Sequence, residues 1–334
     1  MSDFTEKQKP GRQSAEDDLS HDTDDVTEPD AAADWDAEDR REAGARSRDP
    51  YVTLLNAPTE EDAPEDAKGF SQRADLQMKN GQVSDALSSY REAVRTAADE
   101  ESRNEHRVTL GDAYAYSGQG LNAFRQYRRA IKLAPRRAEP HFSLGELYQR
   151  YGRLQSAIKE FRKAIEFAPE NAYYRYKLGD ALALAGDLEG AVSELEETTH
   201  LRPQDGFYHF WLGDLYARAD RVDEAIREMQ QATLFSPYDA YYNIRLSSLY
   251  FRNGMNVDAI TAGRQATDIA PENNAYHALL SDYYNGAQMY SHAFYHEQMA
   301  GLLDDYDRET LRRLRRYAGI TEDDVLALDA PEEE

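Results

Sequence analysis

One alanine returns along this chain at an interval that hardly changes. Its positions are Ala86, Ala123, Ala157, Ala191, Ala225, Ala259 and Ala293, separated first by 37 residues and then five times by 34. A period of this length is typical of stacked helical hairpins, in which each hairpin buries its apolar face only against its neighbours. The interval therefore predicts an all-α solenoid of about seven hairpins.

A small residue stands twelve positions before each of these alanines. The seven small residues are Ala74, Gly111, Gly145, Gly179, Gly213, Ser247 and Ser281. A glycine inside a helix costs about 1 kcal/mol relative to alanine, so its regular return needs a packing reason. We expect it to let two antiparallel helices approach closely, with the periodic alanine of the second helix opposite. A proline closes five of the units and should separate successive hairpins, because it cannot continue a helix.

The third unit shows the complete pattern, which consists of Leu144, Gly145, Tyr148, Ala157, Phe161, Ala164 and Pro169. In these residues the chain resembles the tetratricopeptide repeat (TPR) family, and the resemblance extends over roughly residues 69–302. The resemblance implies a right-handed superhelical solenoid that binds other protein chains and does not itself catalyse a reaction.

The pattern divides the chain into four regions. We expect a disordered acidic N-terminal tail at 1–66, a TPR array at 67–302, a closing helix at 303–319 and an acidic C-terminal tail at 320–334. Both tails are rich in charge and poor in apolar residues, so they cannot offset the entropy cost of ordering. The closing helix is predicted from residues that share one helical face, with a glycine stop signal after them. These residues are Leu311, Leu314, Tyr317, Ala318 and Gly319.

Net charge is uneven along the chain. The whole sequence carries −24, but residues 1–68 carry −13 and residues 319–334 carry −7, which leaves −4 for the remainder. Nucleic acid is disfavoured as a partner, because its phosphates require a basic surface.

The residues that several chemistries need are missing. The chain has no cysteine, which excludes disulfides and thiolate sites. It has no phosphate-binding loop or nucleophile motif, and His292 and His296 share a helical face without an obvious third metal ligand. No apolar run is long enough to cross a membrane, and the N-terminus does not resemble a signal peptide. We therefore expect a cytoplasmic protein without catalytic residues, cofactor, metal or membrane contact.

The TPR resemblance implies a concave groove lined by the first helix of each hairpin. We call the position of the periodic small residue the small slot. The residue that follows it should face this groove, and it is a carboxylate in six of the seven units. Aromatic residues share that helical face in units three to six. Such a surface suits a partner peptide with apolar and basic side chains, because rings give burial and cation–π contacts and carboxylates pair with Lys or Arg. The predicted groove residues are Asp112, Phe142, Glu146, Tyr173, Tyr176, Asp180, Phe207, Phe210, Asp214, Tyr241 and Phe251.

A purely structural interpretation of the same residues stays open. The carboxylates would then pair with arginines of neighbouring repeats, and the tyrosines would pack between hairpins. We expect such packing for two further periodic sets, Tyr174, Tyr208, Tyr242 and Tyr276, and His141, His209 and His277. The arginines Arg312, Arg313, Arg315 and Arg316 are expected to form a solvated face that the acidic tail neutralises.

The favoured function is a non-enzymatic adaptor or scaffold that binds a partner peptide in the groove. An assembly chaperone or regulatory subunit of a multiprotein complex, and a self-associating structural scaffold, are the alternatives. The apolar segment Tyr51–Leu55 is a candidate docking motif, for a partner or for the protein's own groove.

Overall fold

The computed structural model describes residues 66–321 and 324–325, and the predicted tails, Tyr51–Leu55 included, lie almost entirely outside them. The described residues form fifteen helices and no strand. The helices are α1 (Ala67–Lys79), α2 (Val83–Thr96), α3 (Glu100–Tyr116), α4 (Gly120–Leu133), α5 (Ala138–Arg150), α6 (Leu154–Phe167), α7 (Ala172–Leu184), α8 (Leu188–Leu201), α9 (Gly206–Arg218), α10 (Val222–Phe235), α11 (Ala240–Arg252), α12 (Asn256–Ile269), α13 (Asn274–Gly286), α14 (Tyr290–Ala300) and α15 (Asp305–Tyr317).

Seven hairpins, α1–α2 through α13–α14, stack in chain order, which confirms the predicted solenoid. Most of the first helices begin at an Asp or Asn whose side chain accepts a backbone N–H of the first turn, as Asp205 and Asn171 do. The tight turn inside a hairpin needs a left-handed residue, and Gly152 adopts a φ of 72° there.

The small slot accommodates a large side chain of the second helix. A Cβ added to Gly145 would lie 2.7 Å from the ring of Phe161, and one added to Gly111 would lie 2.5 Å from Tyr127. Each of these large residues follows the periodic alanine by four positions, one helical turn later. The periodic alanine also faces the small residue, as expected, because a Cβ built on Gly179 would lie 3.3 Å from the Ala191 carbonyl oxygen.

The sixth hairpin fills the same space in another way. Its small slot is Ser247, and Gly263 stands where the large residue should be. A side chain of the next hairpin fills the space that the missing large residue would occupy, because Leu280 lies 3.0 Å from a Cβ built on Gly263. Tyr283 is fully buried beside it and donates its hydroxyl to Ser248 Oγ at 3.0 Å.

The closing helix α15 follows an unexpected path. It packs on the first helices α11 and α13, and it makes almost no contact with α14, the helix that precedes it. Leu311, Leu314 and Ala318 are buried, as the sequence predicted. Because α11 and α13 are first helices, α15 lies on the same inner surface that forms the predicted groove.

Candidate peptide-binding groove

The inner surface has two parts that differ in what covers them. We call the surface of α5, α7 and α9 the open half, and the surface of α11 and α13, on which α15 lies, the occupied half. The predicted site extends over both halves. The sixth unit, whose first helix is α11, is therefore partly covered by α15, although Tyr241 at the start of α11 stays exposed.

The carboxylates of the open half pair with the neighbouring repeat. Glu146 lies 3.3 Å from Lys177 Nζ, and Asp180 accepts a hydrogen bond from Gln149 Nε2 at 2.7 Å. Both links join residues 31 positions apart and tie α5 to α7. The structural interpretation thus describes this network, while each carboxylate remains only partly buried.

Asp112, the predicted groove residue nearest the N-terminus, pairs within its own hairpin. Its carboxylate accepts the hydroxyl hydrogen of Tyr127 at 2.7 Å. Burial raises the pKa of Asp112, against the lowering effect of the hydrogen bonds from Tyr127 and Ser143. Asp112 is thus engaged in holding α4 against α3.

Three arginines near the C-terminal ends of first helices donate hydrogen bonds to the last turn of the preceding first helix. Arg150 Nη1 donates to the Ala115 carbonyl at 2.6 Å, and Arg252 Nη1 donates to Ala217 at 3.3 Å. Arg218 makes the same link to the preceding first helix. A cation at a helix C-terminus is favourable, because the last carbonyls have no partner inside the helix.

Aromatic residues form an exposed rim along the N-terminal ends of the first helices. Tyr173, Phe207 and Tyr241 recur at 34 residues and are 45%, 39% and 43% exposed. The ring of Tyr176 lies 5.0 Å from that of Phe207 and 5.8 Å from that of Trp211. This continuous ladder is accessible for contact with a partner.

Three predicted groove aromatics lie deeper, between repeats. Phe142 stacks on Tyr174 at 4.4 Å between ring centres, and Phe210 stacks on Tyr242 at 4.5 Å. Phe251 stacks on Tyr283 in the same way. These contacts confirm that Tyr174 and Tyr242 pack between hairpins. Sequence reasoning missed Trp211, although it lies four positions after Phe207 on the groove-facing side of α9.

In the occupied half, a side chain of α15 satisfies the groove carboxylate Asp282, and at the boundary with the open half Arg245 satisfies Asp214. Arg315 donates to Asp282 through Nε at 2.7 Å and through Nη2 at 2.9 Å, and Asp282 is buried. Arg245 of α11 binds Asp214, and its guanidinium lies 3.6 Å from the ring centre of Tyr317. Burial raises the pKa of Tyr317 to about 12. A helix with arginine, tyrosine and leucine side chains thus occupies this surface.

Three of the four arginines in the C-terminal run of α15 have carboxylate partners among the described residues, while the acidic tail expected to neutralise them lies almost entirely outside those residues. Arg312 and Arg313 pair with Glu309 on their own helix, at 2.5 Å and 2.8 Å. Arg315 pairs with Asp282 of the array. The acidic tail is not needed for these three side chains.

The periodic histidines join the two helices of a hairpin to the preceding loop, as the packing interpretation predicted. His141 contacts Glu160 through Nδ1 at 2.5 Å and the Pro135 carbonyl through Nε2 at 3.0 Å. His209 repeats this arrangement with Glu228. Although burial lowers the pKa of His209, the hydrogen bonds to Glu228 and to the Pro203 carbonyl raise it overall.

The seventh hairpin replaces the glutamate with a second histidine. His277 Nδ1 lies 3.0 Å from His296 Nδ1, and both side chains are buried. Burial, followed by the charge effect of His277, lowers the pKa of His296 to about 4. Among residues 66–321 and 324–325, no three His, Cys, Asp or Glu side chains come together as a metal site would require.

Within the described part of the chain, no helix combines the length and the apolar character needed to cross a membrane. Two family profiles match the central repeats. Residues 111–152 and 151–186 match one described as TPR repeat, and residues 176–240 and 210–274 match one described as tetratricopeptide repeat. Comparison with curated proteins gives no match.

Solved structures similar to this chain include three repeat proteins. The structure of pilF from Pseudomonas aeruginosa is 17% identical, with a TM-score of 0.52 over 68% of this chain and 97% of that chain. MamA is 23% identical, with a TM-score of 0.44 over 49% of this chain and 94% of that chain. YrrB, described as a TPR protein with an unusual peptide-binding site, is 22% identical, with a TM-score of 0.44 over 50% and 86%. At these identities the likeness concerns the fold alone.

Proposed function

The chain belongs to the tetratricopeptide repeat family, and from this premise we propose that it is a non-enzymatic adaptor that binds a basic, amphipathic segment of another protein in its groove. The observation that carries the proposal is the contact between α15 and the occupied half. There the groove already holds a helix through the Arg315–Asp282 pair, the contact of Arg245 with the ring of Tyr317, and buried leucines.

The open half offers a partner the same kinds of group. Glu146 and Asp180 stand in the same repeat slot as Asp214 and Asp282, and Tyr173, Tyr176 and Phe207 supply accessible rings. Lys177 and Gln149 satisfy the two carboxylates in the free protein, and both sites are partly open to solvent. A partner arginine would join or replace these groups and stack on the rings, which favours Arg over Lys.

Charge reversal in the open half tests this function. We expect Glu146→Arg with Asp180→Arg to lose a partner that the wild-type chain captures by cross-linking from a native lysate, and 0.5 M salt to weaken the same capture. A matched control reverses two exposed carboxylates on second helices, Glu166→Arg with Glu197→Arg, and should retain the partner. Equal capture by all three chains would contradict the groove as the binding surface.

A further inference from the structure

The second helix of the last hairpin exposes large apolar side chains. On α14, Tyr290, Phe294, Tyr295 and Met299 are 55%, 61%, 58% and 45% exposed. We call these four residues the α14 face. Monomeric proteins expose single apolar residues routinely, but four large ones on the solvent side of one short helix are typical of an interaction surface.

Comparison with the other repeats shows that two residues of this face, Tyr295 and Met299, are specific to the last hairpin. At the position of Tyr295 the six preceding repeats carry Ser88, Arg125, Lys159, Ser193, Arg227 and Thr261. At the position of Met299 they carry Glu92, Arg129, Lys163, Glu197, Gln231 and Gln265. Both positions are polar six times and apolar only here, so the repeat fold itself does not require an apolar residue at either.

Phe294 lies at a position that the first helix of the next repeat covers elsewhere in the array. The equivalent residues Ile158, Val192 and Ile226 are 5%, 2% and 7% exposed, and in the array each second helix packs against the first helix of the next repeat. The helix that follows α14 is α15, and it lies on α11 and α13 instead. Phe294 is therefore a core residue type in a core position, without a covering helix among the described residues.

We propose that the α14 face pairs with the α14 face of a second copy of this chain, in a two-fold symmetric dimer. Charge permits this contact, because Glu297 is the only Asp, Glu, Lys or Arg on α14. Two copies can therefore meet there without opposing like charges at the centre. A symmetric contact also closes on itself and leaves no free apolar end.

Head-to-tail stacking on α1 of another copy fits less well. Within the array, a first-helix tyrosine packs on the preceding second helix, as Tyr148 does on Phe124 with 6.1 Å between ring centres. At the equivalent position α1 carries Gln77, and it carries Arg73 where the other repeats have leucine. The N-terminal end is thus polar where it would have to cover Phe294.

The α14 face supplies most of the apolar area that a standard dimer interface needs. An aromatic side chain buries about 150–250 Å², so three rings that are more than half exposed offer roughly 300 Å² per copy before Met299 and the neighbouring polar atoms are counted. Standard interfaces bury about 800 Å² per partner, of which little more than half is apolar.

Molecular mass in solution tests the pairing. We expect the full-length chain to sediment at twice its 38.1 kDa monomer mass, and dimerisation to strengthen with salt, because the contact is apolar and each copy carries −24. Tyr295→Arg with Met299→Glu restores residue types that other repeats use and should raise the dissociation constant ~10-fold or more. The control Arg227→Ala with Gln231→Ala changes the same positions in the fifth repeat and should leave it unchanged.

A single introduced thiol tests the symmetry. Because the chain has no cysteine, Gln298→Cys places one thiol at the centre of the α14 face and should cross-link two copies on oxidation. Gln230→Cys, at the same position of the fifth repeat, should not. A wild-type monomer, a dimer that survives Tyr295→Arg with Met299→Glu, or a dimer in which Gln298→Cys forms no cross-link would overturn the proposal. So would a chain that becomes dimeric only when residues 1–65 are removed, because a tail would then cover the face.

Discussion

The open and occupied halves of the groove use one repeat slot for two purposes. Glu146 and Asp180 are satisfied by Lys177 and Gln149 of the array itself. Asp282 in the same slot is satisfied by Arg315, which belongs to a helix laid over the array. The same carboxylate position can therefore hold repeat to repeat or hold a guest helix, and the difference lies in which hydrogen-bond donor or cation reaches it.

The prediction with the largest expected effect removes the carboxylate that holds α15 and compares it with a carboxylate that joins two repeats. Asp282→Ala leaves Arg315 without its buried partner, and we expect it to weaken the docking of α15 by about 2–4 kcal/mol. Hydrogen exchange along α15 should then accelerate by about 30- to 800-fold while α5, α7 and α9 remain protected. Asp180→Ala is the matched change in the open half and should cost less than about 1.5 kcal/mol, because its partner Gln149 is neutral. Unchanged protection of α15 in Asp282→Ala would show that Arg315 does not hold it.

Sequence reasoning predicted the array better than the path of its last helix. The 34-residue period, the glycines and the prolines specify hairpins that contact only their neighbours, so local spacing was enough. The apolar face of α15 was also readable from Leu311 and Leu314. The surface on which α15 packs could not be predicted in the same way. The choice between α14 and the α11–α13 surface depends on Asp282 and Arg315, which lie 33 residues apart. The sequence did not show that a large side chain also packs on the glycine, as Phe161 does on Gly145, because that contact depends on side-chain direction along the helix.

The second prediction concerns how the open half is packed. Gly145→Leu would force a side chain into the ring of Phe161, and we expect a loss of about 2–3 kcal/mol, or a melting temperature lower by roughly 5–10 °C. Ala185→Leu, at an exposed helix end, is the control and should change little. If both variants melted with the wild type, the close approach at Gly145 would not contribute to stability.

The third prediction concerns how the stability of the α13–α14 hairpin, on which α15 packs, depends on pH. The pKa of His296 in the native state, about 4, lies below the ordinary 6.5, so the native state binds fewer protons than the unfolded chain. Its stabilising effect is complete above about pH 6.5 and is lost as the pH falls towards 4, by about 1–2 kcal/mol at pH 5. His209 has the opposite sign: its pKa is raised, so its contribution is complete in acid and is lost as the pH rises through the native value.

Hydrogen exchange at pH 7.5 and pH 5, corrected for intrinsic rates, checks this contrast. Acid should increase exchange in α13, α14 and α15, and should not destabilise α9 and α10. His296→Glu would restore the histidine–glutamate pair of the third and fifth hairpins and should abolish the acid sensitivity of the last one. An equal response in both regions would rule out the His277–His296 pair as its origin.

The prediction with the smallest expected effect concerns Tyr241, which lies at the boundary between the open and occupied halves. Tyr241 and Tyr173 occupy the same slot and are almost equally exposed, but the Tyr241 hydroxyl accepts a hydrogen bond from Arg245 Nη1 at 2.8 Å. Arg245 in turn contacts Asp214 and the ring of Tyr317. Tyr241→Phe should therefore cost about 0.5–1 kcal/mol and raise exchange in α15 a few-fold, while Tyr173→Phe stays within about 0.5 kcal/mol of wild type. Equal effects of the two changes would mean that Arg245 keeps its position without Tyr241, and that the boundary lies instead at the contact between Arg315 and Asp282.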